Sequence, residues 1–226
     1  MYLSRVEINP HRRETMHALA SPQILHAAVE ASFPASAGLK FRNIWRIDKL
    51  DKSLYILLQS QRKPDFTHII EQFGWPASEQ SWEIREYGEF LSSLQNGQIW
   101  RFKLKANPVH AVTDLSKSAN PNASGKQPRG KVVAHVTIEH QKQWLSDKSS
   151  KSGFEFEKTD NGFDIFDITQ SELKKFKRQG HTVTLAIAVF EGVLRVTDAK
   201  LLADNMKNGI GRAKAYGCGL MTLVGV

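Results

Sequence analysis

Along the chain, apolar positions recur at one of two spacings, close to two residues or close to 3.6, and the switches between them mark out elements. Residues 2–8 alternate imperfectly and read as a strand. Ser21-Pro22 is a helix start, with serine at the N-cap and proline in the first turn. Ile24, Leu25, Ala28 and Val29 then recur at helical spacing until Phe33-Pro34, where the proline pushes its predecessor out of the helical region. Residues 41–47 and 53–59 read as two strands, with a turn at 48–52. Asp65 or Thr67 caps a second helix that runs to Phe73 and stops at Gly74 and Pro76. Residues 81–87 read as a further strand. The order strand, helix, strand, strand, helix, strand is the ferredoxin-like order, which RNA-binding RRM domains also use.

Residues 88–97 read as a linker, and the same order follows again. The second set is a strand at 98–106, a helix at 137–148, short strands at 154–157 and 163–168, and a β-rich run at 182–196 broken at Glu191-Gly192. A helix capped by Asp198 and carrying Leu201, Leu202 and Met206 comes next, then a strand at 220–224. This copy fits less cleanly than the first. A stretch rich in Ser, Asn, Pro, Gly and Lys at 114–130 reads as an inserted mobile loop. The expected organisation is therefore α+β: two tandem ferredoxin-like domains, at 1–90 and 97–226.

Composition narrows the function. The 226 residues carry 31 Lys+Arg against 23 Asp+Glu, a formal net charge of +8, and 41% are hydrophobic, enough for a real core. A basic excess points to an anionic partner, with nucleic acid first. No apolar run approaches the roughly 20 residues of a membrane helix, and Arg5 and Glu7 fall where a signal peptide is apolar. The single cysteine, Cys218, rules out an internal disulfide and reads as a packing residue in a cytoplasmic protein.

Three local patterns concentrate the positive charge. In the strand after the linker, Trp100, Phe102, Leu104 and Ala106 share one face and Arg101, Lys103 and Lys105 the other. Cations stacked along one strand face need an anion or acidic neighbours, and a phosphate backbone supplies the former. Lys174, Lys175, Lys177 and Arg178 form the densest cluster, beside a turn at Gly180. The tail from Gly209 to Gly219 holds Gly209, Gly211, Gly217 and Gly219 together with Arg212 and Lys214, and glycines let a backbone approach a phosphate closely. Of the eight histidines, His26 lies at the rim of the first helix's apolar stripe, where it can be packed yet reach solvent and exchange a proton. The histidines show no spacing that demands a metal.

Several stretches together resemble the CasE family, the CRISPR RNA endoribonucleases of type I-E Cascade. They are the start Met1-Tyr2-Leu3-Ser4-Arg5-Val6, the helix ending at His26, and the run Arg101-Phe102-Lys103-Leu104-Lys105-Ala106-Asn107-Pro108. The strand Phe190-Glu191-Gly192-Val193-Leu194 and the glycine-rich tail complete the set, in the family's order from end to end. The resemblance implies paired ferredoxin-like domains and cleavage of the repeat transcript at the base of its stem-loop. It implies attack by the substrate's 2′-hydroxyl without metal or other cofactor, and retention of the product crRNA among other Cascade subunits. It makes His26 the catalytic histidine, with Arg212 and Lys214 as candidates for offsetting phosphate charge and His110 as a weaker one. Arg101, Lys103, Lys105, Lys174, Lys175, Lys177 and Arg178 become RNA-binding candidates, the last four in a hairpin that enters the stem.

The chain departs from the family at two positions. Gln23 stands where many members have a tyrosine, and Ala31 where some have a lysine. Gln23 has no acid–base chemistry but can donate a hydrogen bond to a phosphate oxygen. These departures keep a second reading open, a non-cutting scaffold that binds the RNA hairpin.

Overall fold

The computed structural model describes residues 1–34, 41–78, 81–112, 131–178 and 180–226. The loop expected at 114–130 lies outside the described residues. The first half comprises β1 (Tyr2–Ile8), α1 (Arg13–Ala20), α2 (Pro22–Ala31), β2 (Ile44–Leu50), β3 (Ser53–Ser60), α3 (Thr67–Phe73) and β4 (Trp82–Glu86). Its sheet has the order β2-β3-β1-β4, all antiparallel. Val6 and Ile8 of β1 and Ile56 and Leu58 of β3 pack against Leu25 and Val29 of α2 and Ile69 and Phe73 of α3. Each fully buried side chain of this kind contributes about 1.5–3 kcal/mol.

Helix α1 is absent from the sequence pattern, because its eight residues bury only Thr15 and Ala18 and leave no apolar stripe to read. Ser21 separates the two helices. Its side chain makes no capping bond; its backbone N–H instead donates to the His17 and Ala18 carbonyls and closes α1. His26 therefore lies on the second helix rather than the first. At the next boundary, Asp65 accepts from the Thr67 N–H and hydroxyl and starts α3.

The expected linker holds a short helix, α4 (Gly88–Ser92). Then follow β5 (Ile99–Ala106), β6 (Val109–Val112), β7 (Lys131–Ala134), α5 (Ile138–Ser149), β8 (Phe154–Phe156), β9 (Phe166–Arg178), β10 (His181–Val196), α6 (Ala199–Asn208) and β11 (Met221–Gly225). The second sheet runs β11-β5-β10-β8, and β9 pairs with β10. Counted by position among the four main strands, both sheets have the order 4-1-3-2, and the fold is two ferredoxin-like units in tandem.

The second copy looked irregular in sequence because a long hairpin is built into it. The strand expected at 163–168 is only the start of β9, which continues to Arg178. Strand β10 runs unbroken through Gly192, with its irregularity at Val189/Phe190. Gly192 is needed there for close approach, since a Cβ would strike the backbone of Ile165 and Phe166. Strands β6 and β7 form a separate two-stranded sheet.

The units are tied across their sheets. Gln59 donates to the Met206 carbonyl at 2.8 Å, and Arg46 of β2 reaches the Lys103 and Leu220 carbonyls at 2.9 and 3.0 Å.

Candidate active site

Helix α2 turns Leu25, Ala28 and Val29 into the first core. His26, next to that stripe, keeps a third of its side chain exposed and lines a cleft of about 770 Å³. The tail segment Gly211-Arg212-Ala213-Lys214-Ala215 also lines it, together with Glu30, Phe33, Arg42, Asn43 and Arg62 among others. His26, Arg212 and Lys214, which are separated by nearly the whole chain, thus meet in one place.

The tail forms a closed loop. The Ile210 N–H donates to the Gly219 carbonyl at 2.9 Å, and the Gly219 N–H donates to the Lys105 carbonyl of β5 at 2.7 Å. These two bonds hold the ends of the loop together, and Arg212 and Lys214 lie between them, lining the cleft. The four tail glycines, Gly209, Gly211, Gly217 and Gly219, all have positive φ. Their surroundings are packing contacts: a Cβ on Gly209 would lie 2.9 Å from the Lys214 Cε, and one on Gly217 would lie 2.8 Å from the Trp45 ring. Gly209 and Gly219 thus leave room for the Lys214 chain, and Gly211 and Gly217 for the rings of Trp144 and Trp45.

The cleft is electrostatically one-sided. Among the described residues, Arg42, Arg62, Arg212 and Lys214 line it against a single carboxylate, Glu30. Burial holds the Lys214 ammonium below the ordinary lysine value, and the neighbouring Arg42 pushes it the same way. Arg62 donates to the Pro34 carbonyl at 2.8 Å, with its guanidinium 4.6 Å from the Phe41 ring centre and 5.1 Å from that of Phe33. Arg42 and Arg62 escaped the sequence reading because each stands alone beside a strand. Only the folding of β2 and β3 against α2 brings them to His26.

Other candidates lie elsewhere, and two of them, Lys103 and Lys174, are engaged within the protein. Lys103 is 3.1 Å from Glu191 and 3.7 Å from Asp48, so acidic neighbours rather than a phosphate backbone answer its charge. Lys174 donates to the Leu19 carbonyl at 2.6 Å, with its ammonium held below the ordinary value chiefly by burial. Lys105 and Lys174 both line a smaller cavity of about 310 Å³ together with Leu19 and Ile47 of the first unit. Lys103 and Lys174 thus bridge the two units. Arg101 is exposed on β5.

Lys175, Lys177 and Arg178 are exposed at the end of β9, where Gly180, at φ +79, begins the return. Arg178 donates to the Tyr216 hydroxyl at 2.6 Å, linking this hairpin to the tail. Gln23 and His110 are not among the cleft's lining residues. Gln23 is half-buried on α2, and His110 is exposed on β6 with its ring 4.5 Å from that of His135. Cys218 is fully buried, its thiol pushed up to about 12 by burial, as a packing residue would be. Among the described residues no cluster of His, Cys, Asp and Glu could hold a metal ion, and no helix is long and apolar enough to cross a membrane.

Comparison with known proteins adds a family. Residues 1–224 match the family described as CRISPR associated protein. The chain is 25% identical over 231 residues to the CRISPR-associated endoribonuclease Cse3 of Thermus thermophilus, covering 99% of each chain. It is 26% identical over 167 residues to the CRISPR system Cascade subunit CasE of Escherichia coli K12, covering 74% of this chain and 78% of that one. Among solved structures, the CRISPR-associated protein Cas6e of Escherichia coli K-12 superposes with a TM-score of 0.65 at 25% identity, all of both chains covered. Cse3 bound to a 19-nucleotide RNA superposes with a TM-score of 0.75 at 24% identity, over 99% of this chain and 100% of that one.

Proposed function

The chain belongs to the CRISPR associated protein family, and from that premise we propose that it is the endoribonuclease that cuts CRISPR repeat RNA at the base of its stem-loop. Two relatives carry the activity or the complex in their names: a CRISPR-associated endoribonuclease matched over nearly its full length, and a Cascade subunit matched over about three quarters of its length. The observation that carries the reading is the single cleft that His26, Arg212 and Lys214 line together.

The chemistry suits those groups. The 2′-hydroxyl beside the scissile phosphate loses a proton as it attacks phosphorus, and the 5′-oxygen of the next nucleotide gains one as it leaves. The imidazole of His26 has the ring nitrogens to take or give that proton. The pentacoordinate phosphorus carries extra negative charge, which Arg212, Lys214 and the nearby Arg42 offset inside a partly desolvated cleft. The product ends in a 2′,3′-cyclic phosphate or 3′-phosphate, and no metal enters this scheme. Residues 1–90 supply the histidine, and residues 97–226 supply the tail cations and the hairpin. Lys175, Lys177 and Arg178 grip the RNA stem. The product crRNA stays bound as the protein works with other Cascade subunits in the cytoplasm.

The test is cleavage of the cognate repeat RNA in EDTA. His26→Ala is expected to slow single-turnover cleavage by roughly 10²–10⁴-fold, the range for a lost acid–base group, with RNA affinity nearly intact. A repeat with a 2′-deoxy nucleotide at the cut is bound and left whole. Wild-type protein that binds the repeat but returns it uncut would establish the scaffold reading instead.

A further inference from the structure

The ring nitrogen Nδ1 of His26 is buried and has no hydrogen-bond partner. A buried polar nitrogen without a partner is costly, and such orphans concentrate where a contact forms only in the working complex. The carboxylate nearest to it is Glu30, one helical turn further along α2, with Oε1 3.9 Å from Nδ1. The same Oε1 accepts a hydrogen bond of 3.1 Å from Nδ2 of Asn43, a residue only 7% exposed. A carboxylate oxygen has room for both donors.

We propose that Glu30 is a positioning residue for His26, itself held by Asn43. The proposal rests on the reading that His26 moves the proton. A modest rotation of the Glu30 side chain brings Oε1 within hydrogen-bond range of Nδ1, a tightening common when substrate enters a catalytic site. An Nδ1–H donated to Glu30 fixes the tautomer and leaves the Nε2 lone pair for the substrate. Taking the 2′-hydroxyl proton then makes an imidazolium in a cleft that already holds Arg42, Arg62, Arg212 and Lys214. Glu30 is the only carboxylate among the described residues lining that cleft, so it alone offsets the new charge there. The arrangement matters more in a chain with Gln23 and Ala31, where neither position supplies a second proton-carrying group.

The experiment compares wild type, Glu30→Gln, Glu30→Ala, Asn43→Ala and His26→Ala. Each is measured for single-turnover cleavage of the repeat RNA, for RNA affinity, and for the ¹⁵N spectrum of the His26 ring. Glu30→Ala is expected to lower the cleavage rate at least ~10-fold, the lower edge of effects seen when a catalytic group loses its orientation. RNA affinity stays within about twofold, and the ring spectrum moves from one Nδ1–H tautomer to a mixture. Glu30→Gln, which keeps an acceptor but not the charge, falls between the two, and Asn43→Ala reproduces part of the loss. Glu30 is nearly half exposed, so these changes leave the fold intact, and a melting curve checks it. If His26→Ala is inactive while Glu30→Ala cuts at the wild-type rate with an unchanged ring spectrum, the positioning role is overturned and the histidine's role stands. If His26→Ala itself cuts normally, the parent reading falls.

Discussion

Arg46 and Asp48, two positions apart on the same face of β2, form a buried pair in which the arginine Nε donates to both carboxylate oxygens at 3.0 and 2.9 Å. The rest of the guanidinium crosses to the second unit. Its Nη1 donates to the Lys103 and Leu220 carbonyls, and its Nη2 donates to the Thr222 hydroxyl at 2.7 Å. One side chain thus holds the edge of the first sheet against β5 and β11 of the second. It helps fix the spacing of the cleft, whose walls come from both units.

Arg46→Met is therefore expected to destabilise the protein by about 3 kcal/mol, the lower end for a broken buried pair, because it leaves the buried Asp48 carboxylate with only the Lys103 ammonium 3.7 Å away. The double variant Arg46→Met, Asp48→Leu recovers part of the loss by removing the charge that was stranded. Urea unfolding followed by circular dichroism reads both. A single variant within 1 kcal/mol of wild type would show that the pair does not lock the units together.

The basic residues divide into two groups with different salt behaviour. Lys175 and Lys177 are exposed on β9, whereas Lys103 is paired with Glu191 and Lys174 is bonded to Leu19. Each lost phosphate contact lowers the slope of log affinity against log salt by about 0.7–0.9. The double variant Lys175→Ala, Lys177→Ala is expected to flatten that slope for repeat RNA by roughly 1.5, two contacts' worth. Lys103→Met and Lys174→Met leave the slope unchanged and lower the melting temperature. The reverse pattern would return the paired lysines to the RNA surface.

This division marks where the sequence stops being readable. Alternation along β5 correctly separates Phe102 and Leu104 from Lys103 and Lys105, since both facts are local. Whether the polar face meets RNA or Asp48 depends on which strand packs opposite, and that partner, Asp48, is distant in the chain from Lys103. The same limit explains the site. His26 was legible at the rim of an apolar helical stripe, and Arg212 and Lys214 in a glycine-rich tail. Arg42, Arg62 and Glu30 carried no local pattern, because their meaning lies in the cleft that two units close around them. Helix α1 was lost for a different reason: a short helix that buries almost nothing leaves no periodicity.

Gly217 tests the packing role of the tail glycines. Its φ of +77 disfavours any side chain, and a Cβ would also lie 2.8 Å from the Trp45 ring. Gly217→Ala combines about 1–2 kcal/mol of left-handed strain with about 1–3 kcal/mol of overpacking. Gly97, at φ +87 with nothing within 4 Å of a Cβ, isolates the strain alone. Thermal unfolding should show Gly217→Ala losing clearly more stability than Gly97→Ala. Equal losses would mean that Trp45 yields to the methyl group and that the contact does not constrain the tail.

Lys214 supplies a pH test of the cleft. Its ammonium is held below the ordinary value by burial first and by Arg42 second. A lysine whose folded value is lowered opposes folding while it is protonated, because the unfolded chain binds that proton more tightly. Over the window from its folded value up to about 10.4, the unfolded state carries more protons, so stability rises as pH climbs through it. Lys214→Met is expected to flatten that rise in pH-dependent unfolding while slowing cleavage at neutral pH through loss of the cation. RNA binding acts in the opposite direction: a phosphate beside Lys214 raises its value, so wild type takes up a proton on binding at alkaline pH. Calorimetric titration in two buffers of different ionisation enthalpy reads that uptake, and Lys214→Met should lack it. Equal uptake by the two proteins would mean that the scissile phosphate does not sit against this lysine.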